Sequence, residues 1–201
     1  MVQPIEKLRQ RKRPTTEISS LFPLQGNWTA DDYFKLPETN RFIELSEGRL
    51  IIPKMPTSSH QNVVKRLFVK MNDFVEREAL GDILFSPLPV RLGEKTVREP
   101  DIVFMSKAHR SRTHEAFWEV PGLVVEVISS TTEQTDRGEK FSEYQRAGVL
   151  EYWIVHPAEY TIEVYVLRQG KYQLSGKWGS GEDARSEILA GFEVEVDTVV
   201  V

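Results

Sequence analysis

The chain has 201 residues, 40% of them hydrophobic and 28% charged, with a net charge of −4 and no cysteine. That balance suits one globular domain with a sizeable core. It excludes disulfides and thiolate metal sites, a membrane span of roughly 20 apolar residues and a generic cationic coat for nucleic acid.

Residues 1–25 read as a polar, flexible tail with a basic cluster at Lys7, Arg9, Arg11, Lys12 and Arg13. A solvated tail and a nucleic-acid arm both fit that cluster. One domain is expected over 26–201. Thr29 with Asp32 predicts a helix start, and Pro37 its end. Strands over 41–45 and 49–52 flank Ser46-Glu47-Gly48, a hairpin pattern. Between 59 and 79, His60, Val63, Val64, Leu67, Phe68, Met71, Phe74 and Val75 recur at helical spacing and mark the clearest helix. Strands are predicted at 83–85, 90–92, 101–105 and 123–128. A helix over 136–147 follows, stopped by Gly148. Strands at 152–155, 161–167, 172–175 and 192–196 close the sheet, with 176–183 (GKWGSGED) as an exposed loop. The order describes a mixed α/β (α+β) fold with a largely antiparallel ending.

One strand contains a chemical conflict. Leu123-Val124-Val125-Glu126-Val127-Ile128 is apolar on both faces except at Glu126. Such a strand is covered on both sides, where an ionised carboxylate is costly without a cation. A structural ion pair, a lysine or a metal ion would each supply one. Asp101 opens a second apolar strand directly after Pro100, where it reads either as a turn residue or as a partner for Glu126. Two carboxylates at neighbouring strand ends can converge on one hard cation. On the following helix, Lys140 shares an inward arc with Phe141, Tyr144 and Ala147 at about 100° per residue. It either snorkels over the core edge or reaches the carboxylates. Asp136 with Glu139 reads more naturally as a capping box than as a ligand. Glu44, between Ile43 and Leu45, reads as an exposed-face residue or a site candidate. His60 reads as a buried, hydrogen-bonded histidine or a site-lining one. His109, His114 and His156 show no ligand spacing.

An ordered set of motifs resembles the Uma-two-type restriction endonuclease family of the PD-(D/E)xK nuclease superfamily. It comprises Glu44-Leu45 through Gly48; Pro56 with His60; Pro100-Asp101-Ile102-Val103; Pro121 through Ser129; Thr132 through Lys140; Tyr144; Ala147-Gly148-Val149; Glu151-Tyr152-Trp153-Ile154-Val155 with Pro157; and Leu189 to Phe192. The resemblance implies a restriction-endonuclease-like mixed sheet flanked by helices. It implies catalytic roles for Glu44, Asp101, Glu126 and Lys140, and a Mg²⁺ or Mn²⁺ ion held by Asp101, Glu126 and the carbonyl of Val127. His60, Asp136 and Tyr144 would line the site. The superfamily's lysine normally lies two residues after the glutamate. Here that position is Ile128, and Lys140 stands in for it. The departure bears on catalysis, not on the fold. The implied activity is metal-dependent hydrolysis of DNA phosphodiester bonds, by a homodimer. The lack of cysteine, of a signal-peptide pattern and of an apolar span points to a cytoplasmic protein with no membrane contact. The alternatives are a nuclease fold that binds nucleic acid or a protein without cutting, and action on another phosphate ester.

Overall fold

The computed structural model describes residues 22–37, 42–129 and 131–200. The basic cluster at 7–13 and Arg41 lie outside them. Among the described residues no helix is long and apolar enough to cross a membrane.

The described residues open with α1 (Ala30–Tyr33), the hairpin β1 (Glu44–Ser46) and β2 (Arg49–Ile51), and the long helix α2 (Ser58–Arg77). Strands β3 (Gly81–Phe85), β4 (Val90–Gly93), β5 (Thr96–Arg98) and β6 (Ile102–Ser106) follow. Next come β7 (Trp118–Glu119) and β8 (Leu123–Val127). A helical stretch then runs through α3 (Glu133–Thr135), a π-helical turn (Asp136–Lys140) and α4 (Phe141–Ala147). The chain finishes with β9 (Glu151–His156), β10 (Thr161–Arg168), β11 (Lys171–Trp178), β12 (Asp183–Arg185), β13 (Glu193–Glu195) and α5 (Asp197–Val200).

The strands divide into two main sheets where one is expected from the sequence. The larger has the order β11-β10-β9-β8-β6-β3, and the smaller β2-β1-β5-β4-β7. The last predicted strand does not close the large sheet; β13 pairs with β12 in a separate ribbon. The predicted loop at 176–183 is also partly strand, because β11 pairs with β10 as far as Trp178, through a bulge. A Cβ at Gly176 would lie 2.3 Å from the Trp178 ring, so the indole packs there over a position without a side chain. The hairpin turn forms as predicted, with Glu47 and Gly48 both at positive φ, the backbone of a two-residue hairpin loop.

Period-2 alternation explains the layers. Leu123, Val125 and Val127 of β8, with Ile102 and Phe104 of β6, pack against Val63, Val64, Leu67, Met71 and Val75 of α2. Burying each of these α2 side chains stabilises the fold by about 1.5–3 kcal/mol. Val124 of β8 and Val103 and Met105 of β6 point to the opposite face, with Tyr144 of α4 and Tyr152 and Ile154 of β9. A third core of Trp28, Ala30, Tyr33, Leu45 and Val97 fills the smaller sheet under α1. Within the large sheet β8 and β9 are parallel. A parallel pair needs a crossover, and here the crossover is the α3–α4 stretch. Arg137 fixes it to the sheet by a two-pronged bond to Glu163 of β10, at 2.8 and 3.0 Å.

Burial pushes the Glu163 carboxyl up, but hydrogen bonds from Arg137, Tyr165 and Lys177 outweigh it and hold it at about 2. A depressed carboxylate contributes stability above its unfolded value of 4.5 that is lost as pH falls towards 2. Glu163→Gln should therefore lower stability at pH 7 by about 1–3 kcal/mol and flatten its decline between pH 4.5 and 2, measured by urea melts across that range. Glu151, buried at the start of β9, accepts hydrogen bonds from Trp153 Nε1, Ser186 Oγ and the amides of Glu187 and Ile188. Glu151→Ala strands these buried donors, and a loss of about 3–5 kcal/mol is expected in the same melts.

Candidate active site

The two sheets and the crossover converge on one cavity. Glu126 shares its face of β8 with Val124, the face that α4 covers. Ile102 of β6 lies opposite Val125 of β8, so Asp101, one residue before the strand, falls beside Glu126. The crossover starts from the same end of β8 and lays the π-helical turn over the pair. Lys140 Nζ stands 2.9 Å from Glu126 Oε1, 3.2 Å from Asp136 Oδ1 and 3.7 Å from Glu44 Oε1. One turn later the Tyr144 hydroxyl donates to Glu126 Oε1 at 2.7 Å. Asp101 Oδ2 accepts the Val127 amide at 2.7 Å and lies 3.1 Å from His60 Nε2. The cavity holds about 290 Å³, and Glu44, His60, Glu99, Asp101, Glu126, Asp136 and Lys140 all line it.

Glu44 is not an exposed-face residue. It is buried on β1, where its Oε2 accepts from Arg98 Nη1 at 2.8 Å and its Oε1 from the Glu99 amide at 3.2 Å. Arg98 also donates through Nε to Glu143 at 2.6 Å, and Glu143 accepts from Ser46 Oγ at 2.6 Å. Asp136 does not cap a helix. The helical stretch begins three residues earlier at Glu133, and the Asp136 amide bonds to the Thr132 carbonyl inside it. Its carboxylate is free of capping and only 2% of the residue is exposed. Glu139, the other half of the expected capping box, is instead exposed and lies 3.6 Å from Arg98. At Val127 the contact is made by the amide, which holds Asp101.

The electrostatics follow from burial against one nearby ammonium. Burial pushes the Glu126 and Asp136 carboxyls up, with Lys140 pulling against it. Burial works against the Lys140 charge as well, yet Glu126, Glu44 and Asp136 together raise its pKa well above the ordinary lysine value. Glu44 is held below the usual range because Lys140 and Arg98 outweigh its burial. His60 is raised, since its bond to Asp101 outweighs burial. Glu99 is pushed up to about 7 by burial, reinforced by the Glu44 charge against the pull of its bond from Tyr33.

The sequence does not single out Arg98, Glu99 or Glu143; the signal it offers is two charges, Arg98-Glu99, abutting Pro100-Asp101.

Among the described residues, Lys140 is the cation that pairs with Glu126 and Asp136. Lys140→Met leaves both buried without it, at a cost of about 3–5 kcal/mol near neutrality. Carboxyls raised in the folded state bind protons the unfolded chain does not, so stability falls as pH rises above their unfolded values. The deficit of this variant against wild type should be smaller at pH 5 than at pH 7, measured by paired urea melts.

The fold is similar to the crystal structure of a "putative nuclease belonging to DUF820" from Anabaena variabilis ATCC 29413. The TM-score is 0.71 at 19% identity, over 89% of this chain and 98% of that one. At that identity the likeness is one of fold. No curated protein matches the chain. Residues 30–197, from the first residue of α1 to the first of α5, match the model of the Uma2 family, described as "Putative restriction endonuclease". On that extent, and with the resemblance already visible in its motifs, this chain belongs to the Uma2 family.

Proposed function

We propose that the chain is a Mg²⁺- or Mn²⁺-dependent endonuclease that hydrolyses DNA phosphodiester bonds at the Asp101–Glu126–Lys140 cluster. The observation that carries this reading is the meeting of carboxylates from two neighbouring strands with a lysine from the crossover helix, in one cavity of a Uma2-family chain.

The donor set suits a hard cation. Asp101 and Glu126 would hold it, with the Val127 carbonyl as a further oxygen donor. Asp136 Oδ1 beside them is buried without an aligned hydrogen-bond donor. Among the described residues no three His, Asp or Glu groups stand at metal-ligating spacing. Mg²⁺ asks for less, since one or two carboxylates serve it together with water and substrate phosphate. When bound, such an ion supplies Lewis-acid charge and a water of lowered pKa.

The chain's own groups have separable tasks in this reading. Val127 N–H and His60 orient Asp101, and Tyr144 orients Glu126. Lys140, whose pKa its three neighbouring carboxylates raise, would present its positive charge towards the phosphate. Glu44, itself gripped by Arg98, restrains the ammonium from the far side.

Asp101→Asn keeps an acceptor for the Val127 amide and removes the charge. It should lower Mg²⁺- or Mn²⁺-dependent cleavage of plasmid DNA by about 100-fold or more with an unchanged circular dichroism spectrum; undiminished cleavage rejects the assigned site. A binder without catalysis is favoured by one observation, that Lys140 already pairs with Glu126 and Asp136 and occupies the place beside them. Calorimetric titration with Mn²⁺ separates the two. The nuclease reading expects binding that Glu126→Gln weakens at least tenfold, and the binder reading expects none.

A further inference from the structure

The charged and apolar groups of the cavity come from different parts of the fold. Its acids and lysine belong mainly to the large sheet and the crossover. Phe42, Pro53, Met55 and Pro56, which also line it, belong to the open end of the β1–β2 hairpin. Glu44 pairs with Ile51 there, so Phe42 and Pro53 continue the same register beyond the last pair. None of these four residues joins any of the three cores. Met55 is 64% exposed and its neighbour Ile52 58%, on a segment without regular structure between β2 and α2. Lys54, on the same segment, also lines the cavity.

Apolar side chains lining the same cavity as buried carboxylates suit a substrate with an apolar face close to a phosphate. A nucleotide has both, but in a duplex its base face is stacked inside the helix. An unpaired strand exposes it, and such strands are held by stacking on side chains while cations track the backbone. The dimensions agree. About 290 Å³ lies at the small end of ligand pockets, and the reacting groups sit inside it, with Glu126 4% exposed. A duplex brings its full width to a cavity of this size, whereas a single strand can enter it one nucleotide at a time.

Resting on the nuclease reading above, we propose that this site takes an unpaired DNA strand, with one base lying on Phe42 and Met55 while the adjoining phosphate enters among Asp101, Glu126 and Lys140. The step is hydrolysis. A water oxygen bonds to phosphorus, one P–O ester bond breaks, and the water's proton ends on the departing alkoxide, giving a phosphomonoester and a hydroxyl.

The test uses the full chain with three labelled DNAs: a single strand, the blunt duplex containing it, and the same duplex with a central unpaired bubble. With Mn²⁺, the single strand and the bubble should be cut at least tenfold faster in kcat/KM than the duplex. With Ca²⁺ in place of Mn²⁺, fluorescence anisotropy reads binding independently of cleavage. Phe42→Ala should raise the single-strand Kd about tenfold, as expected for a lost aromatic–base stack, and Met55→Ala about threefold, as expected for a lost sulfur–ring contact. Met55 is exposed enough for its variant to fold, which a thermal melt verifies. Equal cutting or binding of the blunt duplex, or an unmoved single-strand Kd in Met55→Ala, overturns the inference. Cleavage of none of the three DNAs rejects the nuclease reading instead, and the anisotropy series then decides the strand preference alone.

Discussion

Lys140 places one ammonium among carboxylates that arrive from three directions: Glu126 from the middle of the large sheet, Asp136 from its own helical stretch and Glu44 from the smaller sheet. Burying carboxylates this deeply costs several kcal/mol each when nothing opposes the charge. The apolar packing on both faces of β8 is compatible with a glutamate in its centre because this cation is there. The crossover is therefore both the connection that a parallel β8–β9 pair requires and the source of the charge that β8 needs.

A second buried cation performs the matching task in the smaller sheet. Arg98 is fully buried and grips Glu44 and Glu143 at once, while Ser46 completes the contacts of Glu143. Glu143 lies on α4 and Ser46 on β1, so this hub joins the hairpin to the crossover helix. Its planar guanidinium serves two carboxylates in a fixed geometry, which the point charge of a lysine would not reproduce. Lys140 offsets charge in the cavity, and Arg98 sets where the hairpin side of that cavity stands.

The parts legible in the sequence share one property, that the signal is local and repeated. The α2 stripe from His60 to Val75 spans about four turns, and Glu126 stands out because every neighbour on its strand is apolar. Pairing partners carry no such signal, so the sequence marks most strands but neither the short β5, β7 and β12 nor the division into two sheets. Asp136–Glu139 has the spacing of a capping box, which hides the buried position of Asp136, whereas the helix opens at Glu133 and passes through a π-helical turn, which has no pattern of its own. β5 has only three residues after a tight turn, too few to show a period, and this concealed the inward direction of Arg98. Glu99 was concealed for a related reason: its surroundings are Tyr33 and Glu44, both more than 50 positions away along the chain.

The hub between hairpin and helix also orders events during synthesis. Glu44 and Arg98 leave the ribosome well before Glu143, and β8 lacks its parallel neighbour until residues 151–156 have followed. A partly made chain thus holds its acids without the lysine helix fixed over them. The charged centre comes together only when the two sheets dock, so a nascent or half-unfolded chain carries the residues of the site without its geometry.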